Sequence, residues 1–278
     1  MEKLSQLIQD VLKLCSTYWP VYLSGMKNTI ILALIGTAFG CLIGFVCGIL
    51  NTLPEDPNDS IWRRGLVKAI KVLVRVYVEL FRGTPMVLQA VFIYYALPYF
   101  TDGAARFTSV WAASILVVSI NTGAYMTESV RGGIISVDPG QAEGALAIGL
   151  SHVQAMLYVI LPQAIRSILP QIGNNFIINL KDTSVMFMIS FTDFFAAHRG
   201  VVGATYSYFP SAVIEMAGYL TMTLLSSFLL RKAEKKLEGS SSYELVAADS
   251  LTLTSGTYTY PKKEGVFDER SREFPGKE

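Results

Sequence analysis

The chain has 278 residues, of which 51% are hydrophobic and 16% charged, whereas about a quarter of the residues in soluble domains are charged. Together with a mean hydropathy of +0.41, this excludes an ordinary water-soluble globule. A net charge of +1 argues against nucleic-acid binding, which needs a basic excess on one face. Three scattered cysteines and two histidines favour neither a disulfide framework nor a metal site. The composition therefore indicates an all-α polytopic membrane protein without metal or cofactor.

Five apolar segments have about the length that a bilayer core requires, roughly 20 residues. They cover residues 23–50, 84–100, 107–130, 162–189 and 209–230, and we place them in a membrane domain of residues 20–238. Residues 1–19 carry apolar side chains at helical spacing, which predicts an amphipathic helix in the membrane interface. Residues 239–278 are polar and of mixed charge, which predicts a disordered cytoplasmic tail.

Basic residues set the predicted orientation. Arg64, Lys68, Lys71 and Arg75 form one positive helical stripe, which is suited to anionic membrane lipid. With the N-terminus outside, twelve Lys and Arg residues near the span ends lie inside and five lie outside. Because cytoplasmic loops carry the excess of positive charge, we predict an outside N-terminus and a cytoplasmic C-terminus.

The loop of residues 131–160 does not span and is predicted to contain a short helix. Asp138 and Pro139 suit a helix start, with Gln141 placed to bond back to it, and Gly149 suits the left-handed turn after a helix end. Ser151 begins a second helix. A short helix with small residues, fixed at both ends, either docks into a groove of a partner or packs on its own loop, and spacing alone leaves both interpretations open.

Residues of this loop resemble a known motif. The EAA loop of permease subunits of ATP-binding-cassette (ABC) importers is similar to Glu143-Gly144-Ala145, then Gly149, then Val159-Ile160-Leu161-Pro162. Gly144 stands where alanine is usual, and Val159 where isoleucine is usual. The segments 80–85, 131–134 and 181–184 resemble the polar amino-acid uptake branch of that family. The similarity extends over about residues 23–237.

This resemblance implies a type I ABC importer permease fold with five transmembrane helices in the bacterial plasma (inner) membrane. The implied partners are a second permease subunit (the same or a different chain), two ABC ATPase subunits and an extracytoplasmic amino-acid-binding protein. In the family, the EAA loop forms a coupling helix that inserts into the ATPase. The coupling residues implied here are Glu143, Gly144, Ala145, Gly149, Leu161 and Pro162. The sequence contains no Gly-x-x-x-x-Gly-Lys-Ser/Thr phosphate loop, so we expect a transport subunit without catalytic residues, powered by a separate ATPase.

Polar side chains inside spans usually face protein or water, because lipid cannot solvate them. They fall on one face in each of three predicted spans, which predicts a shared substrate path. The candidates are Asn121, Tyr125, Glu128, Asn175, Asn179, Lys181, Asp182 and Glu215. For Glu128, an ion pair with Arg131 is the simpler interpretation. Lys181 and Asp182 are equally compatible with a self-neutralising pair, and the asparagines with bonds between helices.

Glycines recur every four residues in the first span, at positions 36, 40, 44 and 48. Such a ridge lets another helix approach closely. Packing within one subunit is the favoured interpretation over a contact between two subunits.

Two other classes of protein remain open. A secondary carrier driven by an ion gradient would use Glu128, Asp182 or Glu215 as ion sites, but it leaves the capped loop helix without a role, and five spans are few for a carrier with internal repeats. An intramembrane enzyme is the weaker alternative, because neither histidine lies near a candidate nucleophile in the sequence.

Overall fold

The computed structural model describes residues 2–53 and 60–237, and the regular elements in these ranges are helices. The α-helices are α1 (Glu2–Asn51), α2 (Ile61–Gly83), α3 (Met86–Phe100), α4 (Val110–Ile135), α5 (Pro139–Ala147), α6 (His152–Ala155), α7 (Leu161–Asp182), α8 (Phe194–Thr205) and α9 (Tyr208–Leu237). A π-turn (Met156–Ile160) joins α6 to α7, and a 3₁₀ segment (Thr183–Ile189) follows α7.

Four helical segments of the described chain are long and apolar enough to cross a membrane. They are Glu2–Asn51, Val110–Ile135, His152–Ile189 and Tyr208–Glu234. Helices α2 and α3 together make a fifth candidate, bent by 112° at their junction. The predicted five spans are therefore present if this bent pair crosses once.

The bend between α2 and α3 follows from Thr84 and Pro85. Thr84 is extended (φ −122°, ψ 146°), because a residue before proline is disfavoured in the α region. Pro85 then begins α3 with φ −63°, close to the value that its ring fixes. The chain thus leaves one helix and starts another within two residues.

Helices α1 and α4 form the centre of the bundle through the glycine ridge. A methyl group added at Gly40 would lie 2.6 Å from Cβ of Thr122, and one at Gly48 would lie 2.6 Å from Cβ of Val130. Gly36 and Gly44 face Val118 and Met126 in the same way. The favoured interpretation of the ridge, packing within one subunit, is confirmed.

Several boundaries differ from the predicted ones. Residues 2–19 form the first part of α1, which continues through Pro20 without a break. Their placement in the membrane interface stays a prediction. Helix α2 carries the basic stripe and leads directly into the bend, and its placement on the inner membrane surface stays a prediction. The predicted tail of residues 239–278 lies outside the described residues.

Candidate functional site

A cavity of about 490 Å³ opens beside the junction of α2 and α3, where α4 and α7 pass. We call it the bend cavity. Its lining residues are Arg82, Gly83, Thr84, Pro85, Met86, Asn121, Thr122, Tyr125, Asn175, Ile178, Asn179 and Asp182. Five of the eight predicted path residues therefore meet at one place, namely Asn121, Tyr125, Asn175, Asn179 and Asp182.

The wall formed by the bend is braced by two buried amides. Gln89 Nε2 donates to the carbonyl oxygens of Phe81 and Thr84, both at 2.9 Å. Asn121 Nδ2 donates to the same Phe81 oxygen at 3.2 Å and to Gln89 Oε1 at 2.9 Å. A helix break frees backbone carbonyls that must find donors inside a membrane. Asn121 and Gln89 supply these donors, so both hold the shape of the cavity.

The floor of the cavity is tied together by Asn179 of α7. Its Nδ2 donates to Thr37 Oγ1 of α1 at 2.8 Å and to Thr122 Oγ1 of α4 at 2.9 Å. Asn175, one turn earlier, donates to the Gln171 carbonyl at 2.9 Å and contacts Met126 Sδ at 3.3 Å. The prediction that asparagines bond between helices is confirmed for Asn179, whose amide also lines the cavity.

Three side chains give the cavity its charge and its aromatic surface. Arg82 and Asp182 are exposed on its rim, and Tyr125 is 42% exposed. The Arg82 guanidinium carbon lies 5.3 Å from the centre of the Tyr125 ring, a cation–π distance. A guanidinium and a carboxylate facing one space can bind a carboxylate and an ammonium group of one ligand.

Three predicted path residues, Lys181, Glu215 and Glu128, lie outside the lining of the bend cavity, and their part in a substrate path stays a prediction. Lys181 is exposed at the end of α7, outside the cavity lining. Glu215 lies beside His198, with Oε2 at 3.6 Å from Nε2, because that face of α9 packs on α1 and α8 rather than on the cavity. Within the described part of the chain, Lys181 and Asp182 form no salt bridge at 4.0 Å or less, and a self-neutralising pair at this position stays a prediction.

Glu128 is also outside the bend cavity. Its Oε2 pairs with Nη2 of Arg131 at 2.8 Å, and Arg131 Nε donates to the same carboxylate at 3.2 Å. The simpler interpretation of Glu128, an ion pair one turn apart, is confirmed.

A second polar region joins α1, α8 and α9, and we call it the α1–α8–α9 cluster (Tyr22, Asp193, His198, Ser211, Glu215 and Tyr219). Tyr22 Oη lies 2.7 Å from Ser211 Oγ, which lies 2.8 Å from His198 Nδ1. Burial lowers the pKa of His198 below its ordinary value, because a buried site disfavours the charged imidazolium. Burial raises the pKa of Asp193 to about 6, although the backbone N–H of Ala196 favours its charged form.

Helix α5 is fixed at both ends as predicted. Asp138 Oδ1 accepts from the Gly140 N–H at 2.7 Å. Gly149 has φ +89°, a value that side chains beyond glycine rarely adopt. Ser151 and Gln154 form a reciprocal capping box at 3.3 and 2.9 Å. Gln141 does not follow the prediction that it bonds back, since its Oε1 accepts from Gln163 of α7 at 3.3 Å.

The two sides of α5 differ in burial. Ala145 is 4% exposed, because this side packs on α6 and the π-turn, so Ala145 anchors the helix instead of facing outward. The exposed side carries Glu143, Gly144 and Gly149, with Ile148 80% exposed. Leu161 is half-buried and Pro162 exposed at the start of α7.

The prediction from sequence missed Arg82, Gln89 and Thr122 as site residues. Gln89 had a detectable signal, since it is the one amide in the apolar helix α3 and is 7% exposed. Arg82 and Thr122 had none, because their place at the cavity depends on the bend and on the close approach of α1 to α4.

The described chain forms a bundle of helices, several of them long and apolar enough to cross a membrane, with a polar cavity between them. The chain belongs to the family described as binding-protein-dependent transport system inner membrane component, whose model matches residues 60–238. It is therefore a multi-pass permease of the inner membrane.

Two curated relatives match most of the chain. It is similar to the glutamine transport system permease protein GlnP of Escherichia coli (strain K12), with 34% identity over 227 residues that cover 80% of this chain and 97% of the relative. It is also similar to the arginine transport system permease protein ArtQ of Bacillus subtilis (strain 168), with 29% identity, covering 79% and 93%.

A solved structure supports the fold. The crystal structure of an amino acid ABC transporter with histidines matches with a TM-score of 0.69 and 35% identity, over 80% of this chain and 96% of that one. The predicted all-α type I ABC importer permease fold is confirmed.

Proposed function

We propose that this chain is the transmembrane subunit of an ATP-driven amino-acid importer. The relatives named for glutamine and arginine transport support the substrate class. The bend cavity supports it chemically, because Arg82 suits an α-carboxylate and Asp182 suits an α-ammonium group. The other lining side chains are polar or aromatic. They include Asn121, Asn175, Asn179 and Tyr125.

The importer assembles from several chains in this proposal. A second permease subunit, identical or different, completes the path, and an extracytoplasmic amino-acid-binding protein delivers the substrate. Two ABC ATPase subunits supply the energy from the cytoplasmic side. The N-terminus lies outside and the C-terminus in the cytoplasm, in line with the excess of Lys and Arg on the α5 side.

Helix α5 couples the ATPase to the membrane domain, and its shape is the observation that carries this proposal. The helix exposes Glu143, Gly144 and Gly149 while Ala145 holds it down. Because both ends are capped, a push on α5 passes to α4 and α7 instead of unwinding the helix. Leu161 and Pro162 continue this connection at the start of α7. Glu143 forms the central contact with the ATPase.

Two substitutions test this coupling in the complete importer reconstituted in proteoliposomes. Glu143→Arg places a longer, oppositely charged group on the exposed side, and Gly149→Val is strained at φ +89°. We expect both to lower ATP-driven uptake at least about tenfold and to remove the stimulation of ATPase activity by the binding protein.

Asp10→Arg is the matched control, since it makes the same chemical change at an exposed site of α1. Uptake by this control should equal that of the wild type. If Glu143→Arg and Gly149→Val both kept stimulated ATPase activity and uptake, α5 would not be the coupling element.

A further inference from the structure

A second polar cavity, of about 390 Å³, lies between the end of α1, the second half of α2 and the end of α4. We call it the arginine cleft. Its lining residues are Asn51, Arg75, Val78, Glu79, Arg82, Glu128 and Arg131. Its volume falls in the range of about 300–1,000 Å³ that small-ligand sites occupy.

The arginine cleft continues from the bend cavity toward α5. Arg82 lines both cavities. On α4, Asn121 lines the bend cavity and Arg131 the cleft, ten residues apart, which is about 15 Å along a helix. Arg131 lies near the end of α4, just before the loop that carries α5. The cleft is therefore the next polar space on the side where α5 lies.

The charges in the cleft are only partly neutralised. Glu128 and Arg131 form an ion pair at 2.8 Å. Arg75 and Glu79, one turn apart on α2, form no hydrogen bond or ion pair with any of the described residues. Among the described lining residues, three arginines against two glutamates leave one net positive charge. Arg75 and Glu79 thus face the same space with no partner among the residues that the structure describes.

This arrangement fits a zwitterion better than an anion alone. A guanidinium binds a carboxylate through paired hydrogen bonds, so Arg75 and Arg82 suit an α-carboxylate. The Glu79 carboxylate and the side-chain amide oxygen of Asn51 can both accept hydrogen bonds from an α-ammonium group. A lipid phosphate would meet the same arginines, but the Glu79 carboxylate would repel it.

We propose that the arginine cleft is a second amino-acid site, which holds the zwitterion after it leaves the bend cavity and before its release beside α5. This inference rests on the proposed function. Arg82 transfers the carboxylate from one site to the other, because it borders both. An amino acid at high concentration on the α5 side fills the cleft and slows further import.

The test uses the complete importer in proteoliposomes, with binding protein and labelled amino acid outside and ATP inside. L-glutamine and L-arginine are tested in separate experiments. In each experiment the same amino acid is supplied outside in labelled form and inside, as the competitor, in unlabelled form. We expect luminal amino acid to inhibit the initial uptake rate of the wild type. Arg75→Gln and Glu79→Gln should each raise the half-inhibitory concentration about tenfold, the effect of losing one hydrogen bond to a charged group.

Three controls separate this site from a general effect. Lys68→Gln removes an exposed charge from the same helix outside the cleft and should leave the half-inhibitory concentration unchanged. Arg75→Lys retains the charge and should restore part of the inhibition. Luminal N-acetylglutamine and glutamine α-amide, which lack the ammonium or the carboxylate charge, should inhibit the wild type at least about tenfold less than glutamine.

The outcomes distinguish the two proposals. If the wild type imports neither amino acid with ATP, the proposed function fails, and the cleft proposal fails with it. If import proceeds but luminal amino acid does not inhibit it, or inhibits Arg75→Gln and Glu79→Gln as strongly as the wild type, only the cleft proposal fails. It also fails if the variants differ from the wild type only in vesicles containing phosphatidylglycerol and not in phosphatidylcholine, since the cleft would then bind lipid.

Discussion

The α1–α8–α9 cluster and the rim of the bend cavity both carry polar residues, but in opposite situations. In the cluster, Ser211 is 0% and His198 2% exposed, and Ser211 bridges Tyr22 and His198 at 2.7 and 2.8 Å. In the cavity, Arg82 and Asp182 are exposed and face open space. Polar groups that satisfy one another fix helices in place, whereas polar groups that face space are available to a ligand.

This difference assigns the two regions different tasks. The cluster fastens α8 and α9 to α1, so changes in it should alter stability. Substitutions at the cavity rim should alter substrate affinity without altering stability. Each of the next two substitutions tests one side of this contrast.

The larger effect is expected for Ser211→Ala. It leaves the Tyr22 hydroxyl and His198 Nδ1 buried without the partner that joins them, and each unsatisfied group costs about 1–3 kcal/mol. We expect the thermal unfolding midpoint in detergent to fall by roughly 5–10 °C, with uptake per assembled importer unchanged. The unfolding midpoint is measured by intrinsic fluorescence, because a thiol-reactive dye would also respond to the free cysteines.

Ser227→Ala is its matched control in the same helix, because Ser227 Oγ donates only to the Thr223 carbonyl of its own helix, at 2.7 Å. An unfolding midpoint for Ser211→Ala equal to that of Ser227→Ala would mean that the cluster does not hold the helices together.

A smaller effect is expected for Asp182→Asn in the bend cavity. The change keeps the shape of the side chain and removes the negative charge offered to an ammonium group. Because Asp182 is exposed, solvent weakens the loss, and we expect KM for uptake to rise about five- to tenfold. The unfolding midpoint should remain that of the wild type.

Lys181→Gln provides the comparison, since Lys181 is the exposed neighbour outside the cavity lining, and its KM should not change. A fall in the unfolding midpoint of Asp182→Asn without a change in KM would reverse the assignment of the two regions.

Local features of the fold were accessible from sequence because they depend on neighbouring residues. The ends of the loop helices were predicted correctly from Asp138, Gly149 and Ser151. The close contact between two helices was predicted from the glycine ridge. Buried polar residues were harder, because a helical face shows which residues lie together but not which helix they meet. Glu215 therefore looked like a path residue, although α9 turns it toward His198.

The bend cavity itself depends on long-range geometry. Proline at position 85 favours a helix start, but the 112° turn and the hydrogen bonds from Gln89 and Asn121 to the freed carbonyls depend on the packing of three helices. The burial of Ala145 could not be predicted for a related reason. The sequence does not show which segment packs on the small residues of α5. In the structure, the π-turn before Pro162 packs on them. Proline has no N–H to donate, which favours an irregular turn at this point.

The most direct test of the account compares uptake with and without the ABC ATPase in proteoliposomes that contain this chain, its permease partner and the binding protein. With the ATPase and luminal ATP, we predict accumulation of labelled glutamine or arginine that vanadate abolishes and that proton and sodium ionophores leave intact. Accumulation without the ATPase, driven by an imposed proton or sodium gradient and abolished by the matching ionophore, would contradict the account and identify an ion-driven carrier.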